Sequence, residues 1–151
     1  MDTLDKKALA LLMRDGRATW AVLGETLGLS APSAADRVRK LEEAKVITGY
    51  AAVLDATAVG YPLTAFIFVT LSAQRNRSAF LRAIAKMPQV TECHHVAGDD
   101  DYLLKARCRT TADLDDLLAK QLKEKLGIAR TRTTIVLATA KETVQLPIAE
   151  T

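Results

Sequence analysis

Cysteine is scarce, with Cys93 and Cys108 the two in 151 residues. They have neither the Cys-x-x-Cys spacing of a zinc site nor the density of a disulfide scaffold, so both read as free thiols. Long apolar runs are missing too. None reaches the roughly 18 residues that a membrane span needs, and Met1-Asp2-Thr3-Leu4-Asp5 lacks the basic-then-apolar order of a signal peptide. A cytoplasmic location without a membrane partner is expected. Charge of one sign is in little excess, since the net charge is +3, so any basic surface has to come from local clustering. No nucleophile–base pair and no metal-ligand spacing stands out. The adjacent His94 and His95 point to opposite faces of a strand, which rules against both holding one metal in the simplest geometry. No catalytic site, metal or cofactor is expected, and the chain reads as a non-enzyme.

What is present is apolar: 49% of the residues, enough to bury the core of one medium domain or two small ones. Over residues 4–14, Leu4, Ala8, Leu11 and Leu12 recur at helical spacing, and Asp15-Gly16 supplies a glycine stop. Thr19 then offers an N-cap, and Trp20, Leu23 and Leu27 form an apolar stripe that makes Trp20 a core residue. Gly28 closes this short second helix. After Leu29 alone, Ser30 caps a third helix with Pro32 in its first turn and Ala34, Val38 and Leu41 as its seam, running to about Glu43.

Two helices joined by so tight a turn cross steeply. That is the helix-turn-helix arrangement, in which the first helix of the pair crosses the DNA backbone and the second enters the major groove. On the third helix Ser33, Asp36, Arg39 and Lys40 face away from the seam, with Arg37 at its flank. Together with the caps Thr19 and Ser30, they are the candidate contacts to double-stranded DNA.

Residues 46–54 become β-branched and apolar around Gly49 and read as an extended hinge strand; 55–62 holds the turn residues Gly60 and Pro62. The expected organisation is a helix-turn-helix domain over 1–45, a hinge strand and linker over 46–62, and a second domain over 63–151. In that second domain, 63–71 is a buried strand, followed by a helix capped near Ser78 with Phe80, Leu81 and Ile84 inward and ended by Met87-Pro88. Strands over 90–96 and 102–108 flank a short connection and form a hairpin. With its turn centred on Asp99 and Asp100, Cys93 and Cys108 fall nearly opposite each other, close enough for a redox-sensitive bridge to be conceivable. The next helix has a cap at Thr110 or Thr111, Asp113, Asp115 and Asp116 at its start, Lys120, Lys123 and Lys125 near its end, and Gly127 after it. Leu114, Leu117, Leu118, Leu122 and Leu126 form its buried face, and 128–139 is the last strand. The order βαββαβ is the ferredoxin-like plan, so the fold class is α+β. Its sheet leaves one face uncovered, which predicts a homodimer packed through this domain.

Five spaced segments then carry a family resemblance. They are Asp15-Gly16-Arg17-Ala18-Thr19; Leu27-Gly28-Leu29-Ser30; Arg37-Val38-Arg39-Lys40-Leu41-Glu42 with Val46-Ile47-Thr48-Gly49-Tyr50; Gly98-Asp99-Asp100-Asp101-Tyr102-Leu103-Leu104; and Thr131-Arg132-Thr133-Thr134-Ile135-Val136-Leu137. In this order, from about Leu4 to Ile148, they resemble the Lrp/AsnC, or feast/famine, transcription regulators. The resemblance implies a winged or extended helix-turn-helix, a hinge strand that pairs between protomers, and a C-terminal domain that dimerises and often builds tetramers or octamers. It also implies regulation of amino-acid metabolism, with DNA binding or assembly answering to an amino acid or related small molecule. The effector position it implies is the loop from Gly98 to Tyr102, at a contact between dimers.

The chemistry of that loop suits a zwitterion. A glycine beside exposed backbone N–H groups hosts a carboxylate, while Asp99, Asp100 or Asp101 attracts an α-ammonium group, and Thr133 and Thr134 add hydroxyls from the last strand. The sequence departs from the usual pattern at Val22, where many relatives carry a capping-box Glu, at Lys45, a site commonly held by glycine, and at Ala97, which replaces a frequent threonine. With Ala31, Pro32 and Asp36 on the reading helix, phosphate contacts and DNA shape carry much of the recognition. Two alternatives stand beside a regulated DNA binder: an effector-independent architectural DNA-binding protein, and an enzyme similar to the siroheme decarboxylases, which share the fold.

Overall fold

The structure, a computed structural model, describes residues 1–72, 77–126 and 128–148. The chain divides into two compact units, one made of 1–53 with 141–151 and the other of 54–140.

The first unit holds helices α1 (Thr3–Arg14), α2 (Trp20–Leu27) and α3 (Ala31–Glu43). Each starts at a polar cap. Asp2 and Asp5 form a reciprocal capping box on α1, the Thr19 hydroxyl accepts from Val22 N, and the Ser30 hydroxyl accepts from Ser33 N. Gly28 ends α2 at φ 66, a conformation that costs a side-chain-bearing residue about 1–2 kcal/mol. Ala8, Leu23, Leu27, Ala34 and Val38 make the core, with Leu4, Leu11, Leu12 and Ile47 packed around it. Each buried leucine contributes roughly 1.5–3 kcal/mol relative to exposure.

One expectation fails in this unit. Trp20 is 49% exposed rather than core; as the first residue of α2 it stands beyond the turn where Leu23 and Leu27 meet α3. The segment 46–54, expected to be a hinge strand, pairs with no other described segment of this chain. Its start folds back on α3, where Val46 N and Ile47 N both donate to Leu41 O and the Tyr50 hydroxyl donates to Glu42 Oε1 at 2.8 Å. Beyond that Val53 and Leu54 are exposed, and an extended segment becomes a strand only when a second one pairs with it. At the other end of the chain, Gln145 Nε2 donates to Met13 O at 3.2 Å. Residues 141–148 thus group with the helices, whereas the sequence pattern assigned everything after 62 to the second domain.

The second unit runs β1 (Leu63–Thr70), α4 (Arg77–Ile84), β2 (Val90–His95), β3 (Tyr102–Cys108), α5 (Thr111–Asp116) continued by a π-helical stretch (Leu117–Lys125), and β4 (Arg130–Ile135). The sheet order is β2-β3-β1-β4 with every neighbour antiparallel, the ferredoxin-like topology. One face carries the core: Ala65, Ile67, Val69, Tyr102, Leu104 and Ala106 pack against Phe80 and Ile84 of α4 and Leu114, Leu117 and Leu122 of the long helix.

The details correct several expectations. Helix α4 is described over Arg77–Ile84, and the residues just before it, where its cap was expected, lie outside the described residues; Leu81 is exposed because the buried pair is Phe80 and Ile84, four apart. The π stretch stacks residues five apart, which puts Leu122 behind Leu117 and leaves Leu118 and Leu126 half-buried. Gly127 lies outside the described residues. Strand β4 ends at Ile135, since β1 starts at Leu63 and Val136 N already bonds to Thr64 O. Cys93 sits opposite Leu104 and Cys108 opposite Leu63, so no bridge joins them. Burial pushes both thiols up, with Asp113 adding to the shift at Cys108.

Among the described residues, no helix packs on the other sheet face. By register it carries Phe66, Phe68 and Leu103, half-buried, among Glu92, Lys105, Arg107, Arg132 and Thr134. Its centre is apolar and its margin charged, the anatomy of a contact surface.

Candidate DNA interface and effector loop

Helix α3 is held to the core by Ala34, Val38 and Leu41, which fixes what it presents outward. Ser33 is exposed, and its hydroxyl lies 2.8 Å from that of the cap Ser30. Arg39 and Lys40 are 65% and 70% exposed and both pair with Asp36, Lys40 at 2.8 Å and Arg39 at very short range. Hydrogen bonds from Lys40 and then Arg39 hold the Asp36 carboxyl below the usual carboxylate range. Asp36 therefore keeps two cations side by side on the outer face. Thr19 is exposed at the start of α2.

Arg37 is placed differently. Its guanidinium turns away from this face and reaches α1, with one nitrogen 2.7 Å from Asp2 Oδ2 and 2.6 Å from Asp5 Oδ1. The capping box is legible as Asp2-x-x-Asp5, but its partner 35 residues away leaves no local signature.

The second candidate, the loop after β2, is tightly built. Asp101 N donates to Val69 O, Val96 N donates to Asp101 O, and the Asp101 carboxylate accepts from Leu71 N at 2.7 Å. The Asp100 side chain, 6% exposed, lies 3.3 Å from Arg130 and 3.1 Å from Arg132, and accepts from the Thr70 hydroxyl at 3.1 Å. A hydrogen bond from Arg132, with help from Thr70 and Arg130, holds its carboxyl below the ordinary value. Asp99 and Gly98 are exposed, and the Asp99 carboxylate has no partner among the described residues. Tyr102 is buried against Phe80, its ring 4.8 Å away, with His95 at 5.3 Å and the Arg77 guanidinium over its face. Thr133 pairs with Ile67 on the helix-covered face and Thr134 with Phe66 on the open one. The two threonines therefore face opposite ways and do not line one site within one chain. Arg130 and Arg132, which the sequence pattern did not single out, are the groups that brace the loop.

With this geometry in view, two family models match: an AsnC-type helix-turn-helix domain over residues 1–42 and an Lrp/AsnC ligand binding domain over 64–146. The chain belongs to the Lrp/AsnC family of transcription regulators. The leucine-responsive regulatory protein of Rhizobium meliloti is 39% identical over 150 residues, 98% of this chain and 96% of that protein. Its namesake from Escherichia coli is 35% identical, covering 98% and 92%. Among solved Lrp/AsnC structures, a transcriptional regulator from Neisseria meningitidis in complex with L-Met superposes with a TM-score of 0.93 at 31% identity, covering 97% of this chain and 96% of that one. The Escherichia coli AsnC structure gives 0.88 at 27%, covering 96% and 97%. As an Lrp/AsnC regulator the chain joins a DNA-binding helix-turn-helix to a ligand-binding domain, and among the described residues no helix is long and apolar enough to cross a membrane.

Proposed function

We propose that this regulator reads double-stranded DNA with the outer face of α3, through Ser33, Arg39 and Lys40, with Thr19 and Ser30 toward the phosphates. It works in the cytoplasm as a homodimer joined across the open sheet face and built into tetramers or octamers. Its binding or assembly answers to an amino acid held at the loop from Gly98 to Tyr102, and no enzymatic step is assigned to it. The observation that carries this reading is the pair Arg39 and Lys40, exposed together on the second helix of a helix-turn-helix. The effector assignment leans on the L-Met complex of the Neisseria meningitidis relative.

One observation favours a narrower reading. Asp100 and Asp101 are already held by groups outside the loop, Asp100 by Thr70 and Arg132 and Asp101 by Leu71 N, so Asp99 is the loop carboxylate left for an α-ammonium group, and a purely architectural DNA binder would need none. Thermal melting with each of the twenty common amino acids separates the two, because a ligand that binds the folded state raises stability by RT ln(1 + [L]/Kd). An upward shift with one or a few of them, lost in Asp99→Ala, is expected. No shift with any of them favours the architectural reading.

A further inference from the structure

Arg37 lies on α3 between Asp36, which faces outward, and Val38, which is wholly buried. Its side chain is 26% exposed, far less than those of Arg39 and Lys40 on the same helix. One guanidinium nitrogen reaches both oxygens of Asp2, at 2.8 and 2.7 Å, and Asp5 Oδ1 at 2.6 Å. Those two carboxylates are held together by the cap itself, since Asp2 N donates to Asp5 Oδ2 and Asp5 N to Asp2 Oδ1, both at 2.8 Å. Two like charges so close repel unless a cation lies between them. Arg37 supplies it and thereby joins the first turn of α1 to the second turn of α3.

We infer that Arg37 is a positioning residue for DNA recognition, which fixes the rotation of the reading helix against α1 and does not itself touch DNA. The inference rests on the proposed role of α3. The apolar seam sets which side of α3 faces the core, and a helix packed on small and branched side chains can still roll by several degrees. A charged clamp at the flank removes that freedom, and a rotation of this kind would carry Ser33, Arg39 and Lys40 out of register with base edges and phosphates together. Asp5 serves the same end as Arg37: its two oxygens split between the cap and the clamp.

A phosphate ligand and a positioning residue respond in opposite ways. The test measures binding to a duplex from upstream of the protein's own coding sequence by fluorescence anisotropy, over a series of salt concentrations. Wild type is compared with Arg37→Ala, Asp5→Asn, the double variant and Arg39→Ala. As a positioning residue, Arg37 gives a loss of about tenfold in Arg37→Ala with the salt slope unchanged, a similar loss in Asp5→Asn, and no further loss in the double variant. Arg39→Ala flattens the slope by about one. If Arg37→Ala flattens the slope by about one and Asp5→Asn tightens binding by removing a negative charge near DNA, Arg37 is a phosphate contact and the inference is overturned. Asp5→Asn, nearly isosteric, serves where Arg37→Ala folds poorly. Thermal melting of the free chain carries the same cycle without DNA, where effects of Asp5→Asn and Arg37→Ala that simply add would overturn the clamp. Absence of DNA binding by wild type would count against the role of α3, while the melting cycle still decides whether the clamp exists.

Discussion

A Cβ placed on Gly24 would stand 2.7 Å from the carbonyl oxygen of Leu29, and 3.2 Å from the backbone nitrogen of Ala31. Helix α2 and the turn into α3 therefore meet backbone to backbone, and Leu29 N closes the contact by donating to Gly24 O at 2.8 Å. That approach lets the two helices of the reading motif cross after so short a turn. Alanine is the better helix former by about 1 kcal/mol, yet here its methyl has to displace main chain. Overpacking of this kind costs typically 1–3 kcal/mol. Gly24→Ala is expected to lower the melting temperature of the helical unit and weaken DNA binding, as read by circular dichroism and anisotropy. Unchanged stability would mean that the turn has room to open.

Lys45 adopts φ 57, the left-handed region, just after α3. A side chain there costs about 1–2 kcal/mol, and glycine relieves the strain while giving back roughly 0.4–1 kcal/mol of unfolded-chain freedom. Lys45→Gly should melt at or slightly above wild type and Lys45→Val clearly below it, since a β-branched residue tolerates this region least. Valine matching glycine in the same melting series would contradict the assigned backbone.

Asp36 occupies both cations of the reading face. Removing it frees them and deletes a negative charge next to phosphate. Asp36→Ala is therefore expected to bind arbitrary duplex several-fold more tightly and to discriminate less between sequences, in competition assays at fixed salt. Weaker binding to every sequence would show that the carboxylate, by aligning Arg39 and Lys40, matters more than its charge.

Asp100 ties its loop to Thr70, Arg130 and Arg132. Its carboxyl is held below 3.8, chiefly by the hydrogen bond from Arg132, so its contribution to stability is present above pH 3.8 and lost as pH falls through the lower folded value. Asp100→Asn should lower the melting temperature near neutral pH, and the gap from wild type should narrow as the pH falls below that point. A gap independent of pH would mean that shape, not charge, holds the loop.

Much of this molecule was legible in its sequence because the deciding signals are local. Thr19, Ser30 and Thr110 cap the helices that follow them, and the Phe, Ile and Val content of residues 63–71 marks β1. Long-range matters were not legible. Trp20 shares a stripe with Leu23 and Leu27, but burial depends on where the neighbouring helices end. Residues 46–54 have strand composition, but among the described residues of one chain no strand pairs with them. Arg37 looked like one more cation beside Arg39 and Lys40, and Asp100 like an open ligand for an ammonium group. In each, the partner that changes its role stands about thirty residues away in sequence, Asp5 for Arg37 and Arg132 for Asp100.

The outer face of α3 as the DNA-reading surface is tested most directly by titrating the purified chain on its own upstream duplex at about 50 and 200 mM salt. Wild type is compared with the variant carrying Arg39→Ala and Lys40→Ala. Binding that weakens steeply with salt, and a double variant that is weaker with a slope reduced by about two, is the expected result. A double variant that binds as tightly as wild type, with the same slope, would contradict it.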